Sequence, residues 1–139
     1  MEMHAHTSKI QAHIGSGEND KAWRLAHEYQ GWCFERINLE KYDLVSAGTI
    51  LSSVQGFLFK ILAAEKKYHQ ALGHKIYEGV LDGRNLKAYS KSIKTTCNRC
   101  KFSRTQNEEV LGYYEKLKAG PPGIKQDFKQ IQAQVSKWG

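Results

Sequence analysis

Proline is almost missing: Pro121 and Pro122 stand side by side, and no other proline occurs. Everything before them is free to be helical. Cysteine is scarce, at Cys33, Cys97 and Cys100. An odd number of thiols cannot all pair, and Met1-Glu2-Met3-His4 lacks the basic-then-apolar order of a secretory signal. A reducing, cytoplasmic setting is therefore expected. Long apolar runs are also lacking. The best segment is interrupted by Lys60, short of the roughly 18 residues that span a bilayer. A soluble protein is expected, with no membrane among its partners. Signatures of catalysis are lacking too. Gly15-Ser16-Gly17 is without the later glycine and lysine of a phosphate cradle, and no Gly-x-Ser-x-Gly elbow occurs. Glu28, Glu35 and Glu40 do not form the Glu-x-x-His pattern of helical di-metal sites. Arg24 and His27, three apart, suit a packing helix better than a helical nuclease. A non-enzyme is the favoured reading, with a small metal-dependent enzyme as an alternative.

What is present is helical periodicity. The 139 residues suit one domain and are enough to bury a core. From Tyr42 to Gly73 the apolar positions Leu44, Ala47, Leu51, Val54, Leu58 and Ile61 recur at steps of three and four, and Tyr68 and Leu72 extend them. This spacing predicts one long central helix over 42–73. Ile50, Phe57 and Leu62 widen its stripe, so neighbours are expected on more than one side. Gly48, Ser52, Ser53 and Gly56 would let another helix approach closely.

Around it the same reading gives five or six helices in all. Residues 1–15 hold a short helix capped by Thr7 or Ser8, on a terminus expected to be mobile. A second helix starts at Asn19 or Asp20 and carries Trp23, Tyr29, Trp32 and Phe34, with Gly31 as a suggested close contact. A further helix is predicted over 84–104, with Leu86, Tyr89, Ile93, Cys97 and Cys100 on its apolar side. Another starts at Asn107, before the acidic turn of Glu108 and Glu109, and stops at Gly120-Pro121-Pro122-Gly123. Residues 123–139 form a last helix, striped by Ile124, Phe128, Ile131, Val135 and Trp138. It either caps the stack or binds a partner.

Three segments are alike: Gly17 to Ala22 running into Tyr29, Lys66 to Leu72, and Glu109 to Leu117 followed five residues later by Pro122. Each resembles the second helix of a tetratricopeptide repeat. The resemblance implies irregular helical hairpins acting as an interaction scaffold, often with a peptide groove, and it carries over no binding residue. The spacings depart from the family's period of about 34 residues: Ala22 to Ala71 is 49 and Ala71 to Val110 is 39. An antiparallel helical bundle is the alternative within the all-α class.

Charge is the strongest functional signal. Residues 1–40 carry a net −2, residues 41–82 a net +1 and residues 83–139 a net +8. No acid falls between Asp82 and Glu108, whereas Arg84, Lys87, Lys91, Lys94, Arg99, Lys101 and Arg104 do. This basic helix is expected to meet an acidic protein or peptide. Nucleic acid is the alternative partner, with Tyr89 and Phe102 available to stack on bases. A solvated face with no partner is the bland reading. Cys97-x-x-Cys100 with His69 and His74 has the makings of a tetrahedral zinc set. Both cysteines also continue an apolar stripe, where a free thiol behaves as a small buried hydrophobe, so no cofactor is the expected outcome. His4 and His6 resemble the His pairs of metal hydrolases but lack visible partners. A structural subunit of a larger assembly is a further possibility, and oligomeric state is not legible.

Overall fold

A computed structural model describes residues 3–82, 87–119 and 128–138. Seven helices lie among the described residues: α1 (Met3–Gly15), α2 (Asn19–Glu40), α3 (Leu44–Ala64), α4 (Tyr68–Leu81), α5 (Lys87–Arg99), α6 (Arg104–Lys118) and α7 (Phe128–Trp138). The all-α class expected from periodicity is what forms. The count exceeds five or six because the expected 42–73 helix is two helices.

The break falls at Lys66, which takes a left-handed φ of 61°. There the Lys66 N–H donates to the Ala63 carbonyl and the Lys67 N–H to Leu62. That pair of bonds is a Schellman stop, which satisfies the carbonyls orphaned at a helix end. The apolar period continues across it, so the sequence reads as one rod. The same stop ends α5: Lys101 is left-handed at φ 61°, and Lys101 and Phe102 donate to Asn98 and Cys97. The helix expected over 84–104 therefore closes at Arg99.

Helix α6 starts at Arg104, earlier than the Asn107 expected. Ser103 accepts from the Gln106 N–H at 3.1 Å and the Gln106 side chain accepts from the Ser103 N–H at 2.9 Å. This reciprocal capping box satisfies two orphan donors. Asp43 caps α3 by accepting from the Ser46 N–H at 2.7 Å. Helix α1 begins ahead of Thr7 and Ser8. Helix α2 begins at Asn19 with no side-chain cap. The stop expected at 120–123 and the first part of the last helix lie outside the described residues.

Two cores result. Ile10, Tyr29, Cys33, Leu51, Val54 and Leu58 unite α1, α2 and α3. Leu72, Ile76, Ile93, Val110, Ile131 and Trp138 unite α4 to α7. The α3–α4 hairpin lies between them, with α3 facing the first core and α4 mainly the second; Leu81 of α4 joins the first, and Tyr77 touches both. The small residues of α3 act as expected at Gly48 and Ser52, which are buried, and Gly56 lies against Glu78. Gly31 does not: it is exposed, with nothing near its missing side chain.

The first and last described helices are packed. Ile10 of α1 is fully buried. Trp138 of α7 is buried, accepts at its carbonyl from Gln106 and donates its indole N–H to Glu109. One helix segment, Ser46–Ala64, is long and apolar enough to cross a membrane by length and composition, despite Lys60; 56% of that stretch is buried inside the molecule.

Candidate basic interface

Helix α5 sets the geometry of the basic face. Its buried side is Tyr89, Ile93, Thr96 and Cys97. Lys87, Lys91 and Lys94 are four and three residues apart, which aligns them on one helical face, and all three are exposed. Among the described residues none of the three has an acidic partner. Their charge is therefore unspent within the chain.

The other expected residues take different positions. Arg99 is exposed, stacks its guanidinium 5.5 Å from the Tyr68 ring centre and donates to the Tyr68 hydroxyl at 3.3 Å. Lys101 is exposed on the turn beyond α5. Arg104 opens α6 and pairs with Glu108 at 3.3 Å, in full solvent. Arg84 lies outside the described residues. The Arg99–Tyr68 contact carries Lys66 and Lys67, both exposed, toward the end of α5. Lys66 and Lys67 of the α3–α4 turn and Tyr68 at the start of α4 were missed from sequence, because a contact across 31 residues leaves no local pattern.

The aromatics expected to stack on bases are used inside. Tyr89 is buried and its hydroxyl donates to Asp82 Oδ2 at 2.5 Å. Phe102 is half-buried, edge-on to His69 at 5.0 Å. Neither Tyr89 nor Phe102 is thus presented as a stacking platform beside the lysines.

The zinc set is not assembled. Among the described residues no group of three or more His, Cys, Asp or Glu side chains is placed to hold a metal ion. His74 Nδ1 is bound to Gln55 Oε1 of α3 at 2.6 Å, whereas Cys97 is sealed in the second core. Burial pushes the Cys97 thiol up to about 12 and the Cys100 thiol up to about 11. A metal ligand must be the thiolate, which burial disfavours. His6 is likewise a packing group, stacked on Tyr29 at 5.3 Å and tilted against Trp32 at 4.8 Å. His13 pairs with Glu18 at 3.1 Å.

Compared with known proteins, the chain matches no family model, no curated protein and no solved structure.

Proposed function

We propose that the chain is a non-catalytic helical interaction module that docks an acidic protein or peptide on the outer face of α5. The observation that carries this reading is the line of Lys87, Lys91 and Lys94, exposed and without acidic partners among the described residues. Such a line attracts anions over roughly one Debye length, about 8 Å at physiological salt. The withdrawal of Tyr89 and Phe102 into packing favours an acidic polypeptide over single-stranded nucleic acid, which is held largely by stacking. Short turns at 16–18, 41–43 and 65–67 fold the first four helices back on one another. This supports a tetratricopeptide-like stack of irregular hairpins as the scaffold behind the face.

The test titrates the protein with a labelled glutamate-rich peptide and, separately, with duplex DNA of matched charge. Peptide binding that is tighter than DNA binding and lost in Lys87→Gln/Lys91→Gln/Lys94→Gln is expected. Tighter DNA binding, or a variant that binds the peptide as well as the parent does, overturns the reading.

A further inference from the structure

A second candidate lies where the two cores meet, apart from the line of Lys87, Lys91 and Lys94. A cavity of about 250 Å³ opens there between Trp23 of α2, Leu62 of α3, Gly73 and His74 of α4, and Val135 and Ser136 of α7. The Gln70 and Gln132 amides and the His69 imidazole, whose buried Nε2 has no hydrogen-bond partner among the described residues, complete its polar edge. None of its lining groups is a carboxylate, a lysine or an arginine. A mainly apolar hollow with a few placed polar groups is the usual form of a small-molecule site.

His74 is the most firmly anchored polar group of the lining. The residue is 8% exposed. Its Nδ1 faces Gln55 Oε1 at 2.6 Å. A carbonyl oxygen can only accept, so Nδ1 carries the proton and donates, and Nε2 keeps a free lone pair. Among the described residues no donor reaches that Nε2. Phe128 lies 4.5 Å from the imidazole and Trp23 stands edge-on to it at 6.1 Å. Burial, aided by His27, holds the His74 pKa down at about 4. At neutral pH the ring is uncharged and accepts. Gly73 keeps the α4 wall low, since a side-chain carbon there would already touch Phe128 at 3.8 Å.

We propose that this cavity binds a small, flat, uncharged aromatic compound that donates one N–H or O–H bond to His74 Nε2. The Trp23 wall, with the two imidazoles of the lining, favours a ring, and offset or edge-on contact with Trp23 adds to its burial. With no opposite charge in the lining, an ion would lose its hydration without compensation. An acceptor on so enclosed a residue selects for a donor on the ring, because a ligand that covers it without a hydrogen bond leaves it unmet at a cost. The volume admits one ring or a fused pair.

The probe is indole, with 1-methylindole as the matched ring that lacks the donor. Binding to the full chain is followed by NMR of the Leu62 and Val135 methyls and the His74 ring nitrogens. Indole is expected to move all three saturably, and 1-methylindole to bind about ten-fold more weakly. Ser136→Phe, at an exposed position on the cavity rim, fills the hollow and is expected to abolish binding while leaving circular dichroism, melting temperature and acidic-peptide binding unchanged. Should indole at millimolar concentration leave the His74 and Val135 signals unmoved, the proposal is overturned. Equal affinity for the methylated ring, or undiminished binding by a folded Ser136→Phe, overturns it as well.

Discussion

At the scale of single residues, the fold is held by polar groups buried at chosen points. His74 is neutral in the folded state, with its pKa lowered to about 4 by burial and then by His27. In the unfolded chain it returns to its ordinary value near 6.5. The folded state therefore binds fewer protons between those values. Stability that is whole above pH 6.5 drains away as pH falls toward 4, by about 3 kcal/mol in total. Urea unfolding of the parent and of His74→Leu across pH 4–7 checks this. The parent is expected to lose more stability than the variant over that range, and parallel curves would contradict it. Gly79 is a point of steric rather than polar constraint. A side-chain carbon there would sit 2.7 Å from the Tyr114 ring. Gly79→Ala is expected to cost about 1–3 kcal/mol by overpacking, and Tyr114→Leu in the same chain to recover part of it in thermal melts. Lys118 works nearby: its ammonium donates to the Gly79 carbonyl at 2.8 Å and to the Asp82 carbonyl. It closes the C-terminal end of α4 with a cation, where the helix dipole favours one.

At the scale of elements, the stops matter more than the runs. Lys41, Lys66 and Lys101 all take left-handed backbone at helix ends. That conformation costs a residue with a side chain about 1–2 kcal/mol, and glycine escapes the cost at the expense of a more entropic unfolded chain. Lys66→Gly is expected to raise stability by up to about 1 kcal/mol, read from denaturant midpoints. A loss of stability would mean that the Lys66 side chain holds the turn. These stops explain what could be read from sequence and what could not. The spacing of Leu51, Val54, Leu58 and Ile61 gives α3, and that of Ile131, Val135 and Trp138 gives α7, because burial on one face imposes the period. Lysine in place of glycine hid the ends of α3 and α5. The Ser103–Gln106 box was overlooked because the acidic pair Glu108–Glu109 offered a competing start three residues later. At the basic site, the line of Lys87, Lys91 and Lys94 was legible from i, i+4 and i+7 spacing. Its neighbours Lys66, Lys67 and Tyr68 were not, since Arg99 brings them close only through tertiary contact. The pairing of His74 with Gln55, 19 residues apart, was hidden for the same reason.

At the scale of the whole molecule, charge and packing are divided. The two cores absorb most of the aromatic and apolar side chains, including Cys97 of the pair considered for zinc; Cys100 stays half-buried at their edge. The outer face of α5 is left with lysines whose charge has no use within the described chain. Exposed charges contribute little to stability, so Lys87→Gln/Lys91→Gln/Lys94→Gln is expected to melt within a few degrees of the parent. The same three changes are expected to weaken acidic-peptide binding at least about ten-fold, at roughly half a kcal/mol for each lost contact. The most direct measurement is the affinity for a glutamate-rich peptide across a salt series, taken in parallel for parent and variant. Recognition by the α5 face requires a steep fall with salt for the parent and a shallower, weaker curve for the variant. Coincident curves for the two proteins would contradict it.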